Sequence, residues 1–396
     1  MDGKNRLKIK KQLLQQEKIS YAMDHIELPE GGVDCSEGCN PYGFPEECSE
    51  IVRKFDTSKL GPYPHSPSLY NEIREYWKDQ IDVERENILL TDGSISALYI
   101  INNIFDTHNA VALGISPQFT DYYMHAEMIG IEYAPYQLDR SKNYKFDLDE
   151  FLDMHYEESN EEGVWQEHVK SYNFIYIDNP NNPTGQCIDI EDIERIVEEA
   201  RKFDITVIID EAYGDFMPRE NSAIKLFSKY PNLIVVRTMS KGFGLAGMRA
   251  GYIIAHKDMI RYMNKMVNPY MVGELTREVA AEALRHGEFI EKSMNAFAEM
   301  KGQIRKVLGC TSENPAGDGH LHMAETLDTN SLLMLYHDNA EINLKKEFWK
   351  RGVLVIDGND FKGLDSSAAR VRLPIMEEFP VLLKAIEEIN KLDQNR

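Results

Sequence analysis

The sequence is short of several things, and each shortage removes a class of function. Basic residues are outnumbered, 44 Lys and Arg against 66 Asp and Glu, for a formal net charge of −22. Nucleic-acid phosphates are bound by broad positive fields and anionic membrane surfaces by basic segments, so neither partner is expected. A small anionic ligand stays open, because a few convergent arginines can hold one locally. No stretch reaches the roughly 18 uninterrupted apolar residues of a membrane-spanning helix. The N-terminus is basic at Lys4, Arg6, Lys8, Lys10 and Lys11, but no apolar core follows. A secretory leader is therefore not expected, and the segment reads as a helical arm. Cysteine is scarce and odd in number: Cys35, Cys39, Cys48, Cys187 and Cys310. That predicts reduced thiols and a cytoplasmic setting. Cys35, Cys39 and Cys48 match no zinc spacing, so no metal is expected. No Gly-x-Gly-x-x-Gly turn opens a helix early in the chain, which argues against a dinucleotide-binding enzyme.

What is present is a globular composition, 42% hydrophobic over 396 residues. That is enough for one large domain and a second lobe. Residues 31 to 67 are rich in Gly, Pro, Asn and Ser and read as loop. Within them, Asn40-Pro41-Tyr42-Gly43-Phe44-Pro45 is turn-rich and makes Asn40 and Tyr42 candidates for substrate contact. Ser68 to Trp77 has helical apolar spacing behind a cap-like Ser68. Apolar strand runs follow at 87–91, 110–113, 131–136, 174–177, 206–209, 233–237 and 250–255, with helical stretches between most of them. Alternation of that kind predicts an α/β domain with a mostly parallel sheet. Ligands of such sheets lie beyond the carboxyl ends of the strands. The acidic stretch 155–170 reads as a solvated loop. From about 275 the pattern becomes helical and then mixed, ending in a helix over 377–392, which predicts a smaller α+β domain.

The motifs fall just after the strands. Thr238-Met239-Ser240-Lys241-Gly242-Phe243-Gly244-Leu245-Ala246-Gly247-Met248-Arg249 sets a lysine between two hydroxyls and a glycine-rich turn. A lysine amine forms a Schiff base with an aldehyde, and Thr238, Ser240 and Arg249 can hold a phosphate beside it. Pyridoxal 5′-phosphate carries both groups. Asp92-Gly93-Ser94 joins a strand to a helix, whose first N–H groups suit an anion. Asp210, at the end of another strand, can pair with a protonated pyridine nitrogen. Asn182, in Asp178-Asn179-Pro180-Asn181-Asn182-Pro183-Thr184-Gly185, and Tyr213 can both donate to a phenolate oxygen. Pro183 permits a cis bond that would fix the Asn182 amide. Phe119, after the 110–113 strand, can stack on a pyridine ring.

In that order and at those separations, these segments resemble the fold-type I pyridoxal-phosphate-dependent aminotransferases of class I/II, and within them the histidinol-phosphate aminotransferase branch. The resemblance covers roughly residues 38 to 380. It implies a mostly parallel seven-stranded sheet between helices, plus a smaller α+β domain. The implied division is an arm and joining segment over 1–60, a large cofactor-binding domain over 61–275 and a small domain over 276–396. It implies that Lys241 is the Schiff-base lysine and proton shuttle, that Asp210 pairs with the ring nitrogen, and that Asn182 and Tyr213 bind the phenolic oxygen. Gly93, Ser94 and Ile95, with Thr238, Ser240 and Arg249, would hold the phosphate. Tyr63 matches a tyrosine that reaches the phosphate of the neighbouring subunit, which implies a homodimer with shared sites. Arg370 matches the small-domain arginine that clamps a substrate carboxylate or phosphate, with Arg372 as its rival. The implied partners are a small amino donor and a 2-oxo acid. The branch commonly has Tyr where this chain has Phe119. A threonine-phosphate decarboxylase-like enzyme, an aromatic aminotransferase and a non-catalytic module of the same fold are the competing readings.

Overall fold

The computed structural model describes residues 10–15, 28–153, 156–159, 166–169 and 172–392. Lys4, Arg6 and Lys8 lie outside them, and of the basic arm only a short helix, Lys11–Gln15, is described. The centre is a seven-stranded sheet. Its strands are β1 (Ile88–Thr91), β2 (Val111–Ser116), β3 (Glu132–Gln137), β4 (Phe174–Asp178), β5 (Thr206–Asp210), β6 (Leu233–Thr238) and β7 (Gly251–Ala255), in the order β1-β7-β6-β5-β4-β2-β3. β7 pairs antiparallel with both β1 and β6, and the remaining pairs are parallel.

The strands are apolar on both faces because both faces are covered. Ile175, Ile177, Val207 and Ile209 join one core cluster. The intervening Phe174, Tyr176 and Ile208 join the other. That is the period-two alternation of a sheet between two helical layers. Helices Ser94–Ile104, Thr120–Ile129 and Ile190–Arg201 follow β1, β2 and β4. Parallel register aligns Asp178 with Asp210, so the carboxyl ends of β4 and β5 finish side by side.

A second, four-stranded antiparallel sheet comprises β8 (Leu321–Met323), β9 (Leu332–His337), β10 (Ile356–Asp357) and β11 (Ala368–Arg372), in the order β8-β9-β11-β10. The long helix Glu288–Leu308 packs on it at Leu321–Met323, and the terminal helix Phe379–Ile389 packs against that helix and against Val353–Leu354. Val33 and Asp34 pair with Val353 and Leu354, which brings the N-terminal segment to this sheet.

Three local expectations are corrected. Ser68 is the first helical residue rather than the cap, and its N–H donates to Ser66 Oγ. The acidic stretch contains an antiparallel pair, Tyr156–Ser159 with Gln166–Val169, where a loop was expected. Among the described residues the cis peptide bonds are Ser116-Pro117 and Asn179-Pro180, not the one before Pro183.

Candidate active site

Beyond the carboxyl ends of β4, β5 and β6 lies a cavity of about 680 Å³, closed on its far side by residues of the second sheet. Asp210 stands in its lining, only 2% exposed. Its Oδ2 accepts from Tyr176 Oη at 3.0 Å and its Oδ1 from the Ala212 N–H at 3.0 Å. Burial, and then the charge of Asp178, push its carboxyl up to about 7. The Tyr176 and Ala212 hydrogen bonds and the Lys241 charge oppose that rise. A buried acid in that condition favours a cationic partner.

Lys241 reaches the cavity from the turn after β6, and Tyr213 from the turn after β5. Lys241 Nζ lies 5.4 Å from the Tyr213 ring centroid. A Cβ added at Gly38 would meet Tyr213 Oη at 2.1 Å and Lys241 Nζ at 2.9 Å. Phenol and amine therefore converge against one stretch of bare backbone. Tyr213 Oη is buried and has no hydrogen-bond partner among the described residues, which marks a donor kept for a ligand.

Across the cavity, the helix Ser94–Ile104 begins at Gly93, whose φ is +104°. Ser94 and Ile95 line the cavity, and they lie in a first helical turn, whose N–H groups have no partner within the helix. Arg249 lies against them. Its Nη2 donates to Asp92 O at 2.9 Å and its Nη1 to Ala246 O at 3.0 Å. A Cβ at Gly93 would stand 2.5 Å from Arg249 Nη2 and displace the guanidinium, while the positive φ is what requires the glycine. Ser240 completes this end of the cavity. Thr238 stands behind it, its Oγ1 2.9 Å from Ser240 Oγ, and is not in the lining.

Phe119 and Asn182 both line the cavity, and their backbone N–H groups reach the same oxygen of Asp178. Arg370 and Arg372 project from the same face of β11 two residues apart, but only Arg370 lines the cavity. Arg370 Nη1 lies 3.4 Å from Asn182 Oδ1, and Nη2 donates to Ser36 O. Arg372 is spent on backbone carbonyls, those of Glu37, Leu373 and Asp34.

Three candidates lie elsewhere. Asn40 is buried, its Nδ2 donating to Gly242 O and Ser293 Oγ at 2.9 Å each, so it braces the lysine turn from behind. Tyr42 Oη accepts from the Met376 N–H at 3.1 Å. Neither lines the cavity. Tyr63 is 70% exposed and stacks on Tyr270 with ring centroids 4.7 Å apart. Conversely, Gly38, Asp178, Lys345 and Asp360 line the cavity and were not singled out, and Cys39, weighed above only as a zinc ligand, lines it too. Asp178 alone carried a signal, its place at a strand's end beside Asn179. Among the described residues no three metal-ligating side chains gather.

The four features match one molecule. An amine at Lys241 suits an aldehyde, an orphaned phenol at Tyr213 suits a phenolic oxygen, and a buried acid at Asp210 suits a ring nitrogen. A helix N-terminus with Ser240 and Arg249 suits a phosphate. The residues fit pyridoxal 5′-phosphate.

A sequence model of the family described as aminotransferase class I and II matches residues 44–386. The chain belongs to the class I and II aminotransferases. Among curated aminotransferases, the histidinol-phosphate aminotransferase of Methanocaldococcus jannaschii is 31% identical over 368 residues, 91% of this chain and 90% of that protein. The crystal structure of the histidinol-phosphate aminotransferase from Clostridium acetobutylicum superimposes with a TM-score of 0.75 at 22% identity, covering 91% of this chain and 99% of that one. L-threonine-O-3-phosphate decarboxylase from Porphyromonas gingivalis superimposes with a TM-score of 0.69 at 21% identity, covering 90% and 99%. The fold is thus shared by this aminotransferase and a decarboxylase, and does not by itself choose the reaction.

Proposed function

We propose that this chain is a pyridoxal-phosphate-dependent aminotransferase of the histidinol-phosphate type, moving an amino group from an anionic amino donor to a 2-oxo acid. One observation carries the reading above the others: Lys241 Nζ and the unpartnered Tyr213 Oη converge at Gly38, in the cavity that Asp210 also lines. When bound, the cofactor supplies an aldehyde for amine exchange and an electron-accepting ring.

The chain's residues do the rest. Lys241 contributes the amine, as nucleophile at rest and as proton carrier in turnover. Asp210 holds positive charge at the ring nitrogen. Tyr213 and Asn182 donate to the ring oxygen, and Phe119 stacks on the ring. Ser94, Ile95, Ser240 and Arg249 hold the phosphate, with Thr238 fixing Ser240. Arg370 binds the anionic end of the donor. In this reading residues 61–275 form the large cofactor-binding domain, 276–396 the small domain, and 1–60 an arm and a segment that joins the small domain. The active form is a homodimer in which exposed Tyr63 reaches the other subunit's phosphate, and it works in the cytoplasm.

The test is direct. Purified protein is expected to carry a visible or near-ultraviolet absorption band that borohydride removes, and Lys241→Ala to abolish the reducible attachment. A colourless protein indifferent to added pyridoxal phosphate defeats the reading. With 2-oxoglutarate as acceptor, histidinol phosphate is expected to outrun threonine phosphate and aromatic amino acids. Release of CO₂ from threonine phosphate would move the chain to the decarboxylase reading.

A further inference from the structure

Asp178 takes no part in the chemistry above, yet it lines the cavity, is 4% exposed and stands beside Asp210 in the β4–β5 register. Its two oxygens collect four donors. Oδ1 accepts from Gln118 Nε2 at 3.1 Å and Asn181 Nδ2 at 2.9 Å. Oδ2 accepts from the Phe119 N–H at 3.3 Å and the Asn182 N–H at 2.9 Å. Two of these donors belong to the Phe119 loop and two to the Asn182 loop. Asn181 Nδ2 ties the loops again, donating to Pro117 O at 3.1 Å. Gln118 is itself held, its Oε1 accepting from Tyr133 Oη at 2.6 Å and from the Ile115 N–H at 3.2 Å.

We propose that Asp178 is a positioning residue of the ring site, one carboxylate that spans the Phe119 and Asn182 walls and adds its negative charge beside Asp210. The chemistry of the position requires an ionised acid. Four converging N–H groups need an acceptor-only side chain with about four lone-pair sites, which a carboxylate offers. An asparagine there would turn its own N–H₂ against two of the donors. Burial pushes Asp178 up to about 6, and the four hydrogen bonds oppose that rise by favouring the ionised carboxylate. The titratable groups around it are Asp210 on β5, Tyr176 on its own strand, Tyr133 on β3 through Gln118, and Lys241 beyond Asp210. Both tyrosines are pushed up by burial and stay neutral. The charge of Asp178 therefore falls on Asp210 and on whatever cation Asp210 holds.

This inference rests on the pyridoxal-phosphate reading, and the two fail separately. Wild-type protein that never takes up the cofactor defeats the reading, whereas wild type that binds it and a variant that behaves identically defeat only the inference. For Asp178→Asn, the expected result is an apparent cofactor dissociation constant raised about tenfold or more. The midpoint of the pH titration of the bound cofactor's absorbance is expected to fall by about half a unit, because a cation loses a nearby negative charge. Asn181→Ala, which removes the tie to Pro117 and one of the four donors but leaves the Asp178 carboxyl in place, is expected to weaken cofactor binding and to move the midpoint less than Asp178→Asn does. Wild-type affinity and midpoint in Asp178→Asn would overturn the proposal. So would an equal midpoint shift in Asn181→Ala. If Asp178→Asn does not fold, Asp178→Glu takes its place, with weaker binding and an unmoved midpoint expected and wild-type affinity overturning it.

Discussion

Tyr213 and Lys241 meet at a residue that belongs to neither of their segments. Gly38 comes from the N-terminal loop, and its missing side chain leaves the space in which the phenol and the amine approach each other. Gly38→Ala would put a methyl group 2.1 Å from Tyr213 Oη, so the ring and the lysine must both give way. Misplacement by about 1 Å costs catalysis about 100-fold. A loss of that order in kcat, with a near-native melting temperature, is the expected outcome. Undiminished turnover would mean that the two groups do not act at this point.

Of Arg370 and Arg372, only Arg370 lines the cavity. Arg370→Ala is expected to lower kcat/KM for an anionic donor by roughly 10- to 100-fold, the worth of a charge-assisted contact. Arg372→Ala removes three ties to backbone carbonyls, so it is expected to lower the melting temperature and to harm kcat/KM less. Steady-state kinetics and thermal melts on both variants check the assignment, and the reverse pattern refutes it.

Asp210 makes the cofactor-free protein sensitive to pH. Its carboxyl lies at about 7 when folded, against an ordinary value of 3.8. The folded state therefore binds more protons than the unfolded state between those values. Its contribution to stability is full below about pH 4 and is lost as the pH rises through 7. Asp178, held at about 6, adds the same sign over a narrower window. Cofactor-free Asp210→Asn is expected to melt at least roughly 2 °C above cofactor-free wild type at pH 8, with the gap narrowing as the pH falls below 7 and closing near pH 4. A gap that widens on acidification would contradict the burial of this carboxyl in its raised state.

Arg237 sits between two buried acids behind the lysine turn. It donates to Glu211 Oε2 at 2.9 Å and to Asp215 Oδ1, with the arginine side chain 3% exposed. Asp215 in turn packs where a side chain on Gly242 would lie. Arg237→Met leaves two carboxylates buried without their cation, which is expected to lower stability by about 3–5 kcal/mol. Chemical denaturation of the cofactor-free protein measures it, and a change under about 1 kcal/mol would show the acids to be neutralised by other means.

The strands and most of the residues that line the cavity after them were legible because they are local. Ile208-Ile209-Asp210 is an apolar run ending in an acid, and Ser240-Lys241-Gly242 a lysine in a turn, whatever the rest of the chain does. Gly38 and Asp178 were not legible as site residues, because their roles exist only once remote segments converge. Asn40 and Tyr42 misled for the converse reason: a turn-rich segment near the site was read as facing it, whereas Asn40 faces the back of the lysine turn.

The sequence alone therefore determined an α/β chain of the aminotransferase family and the motifs around Lys241, Asp210 and Ser94 that line its cavity, since periodicity and short motifs are written in consecutive residues. Only the tertiary structure decided that Arg370 rather than Arg372 enters the cavity. Both lie on one face of β11, and the difference is which backbone carbonyls of the N-terminal segment lie within reach. It likewise decided that Asp178 joins two loops 60 residues apart in the chain, because parallel pairing of β4 with β2 and β5 brings their carboxyl ends to one place.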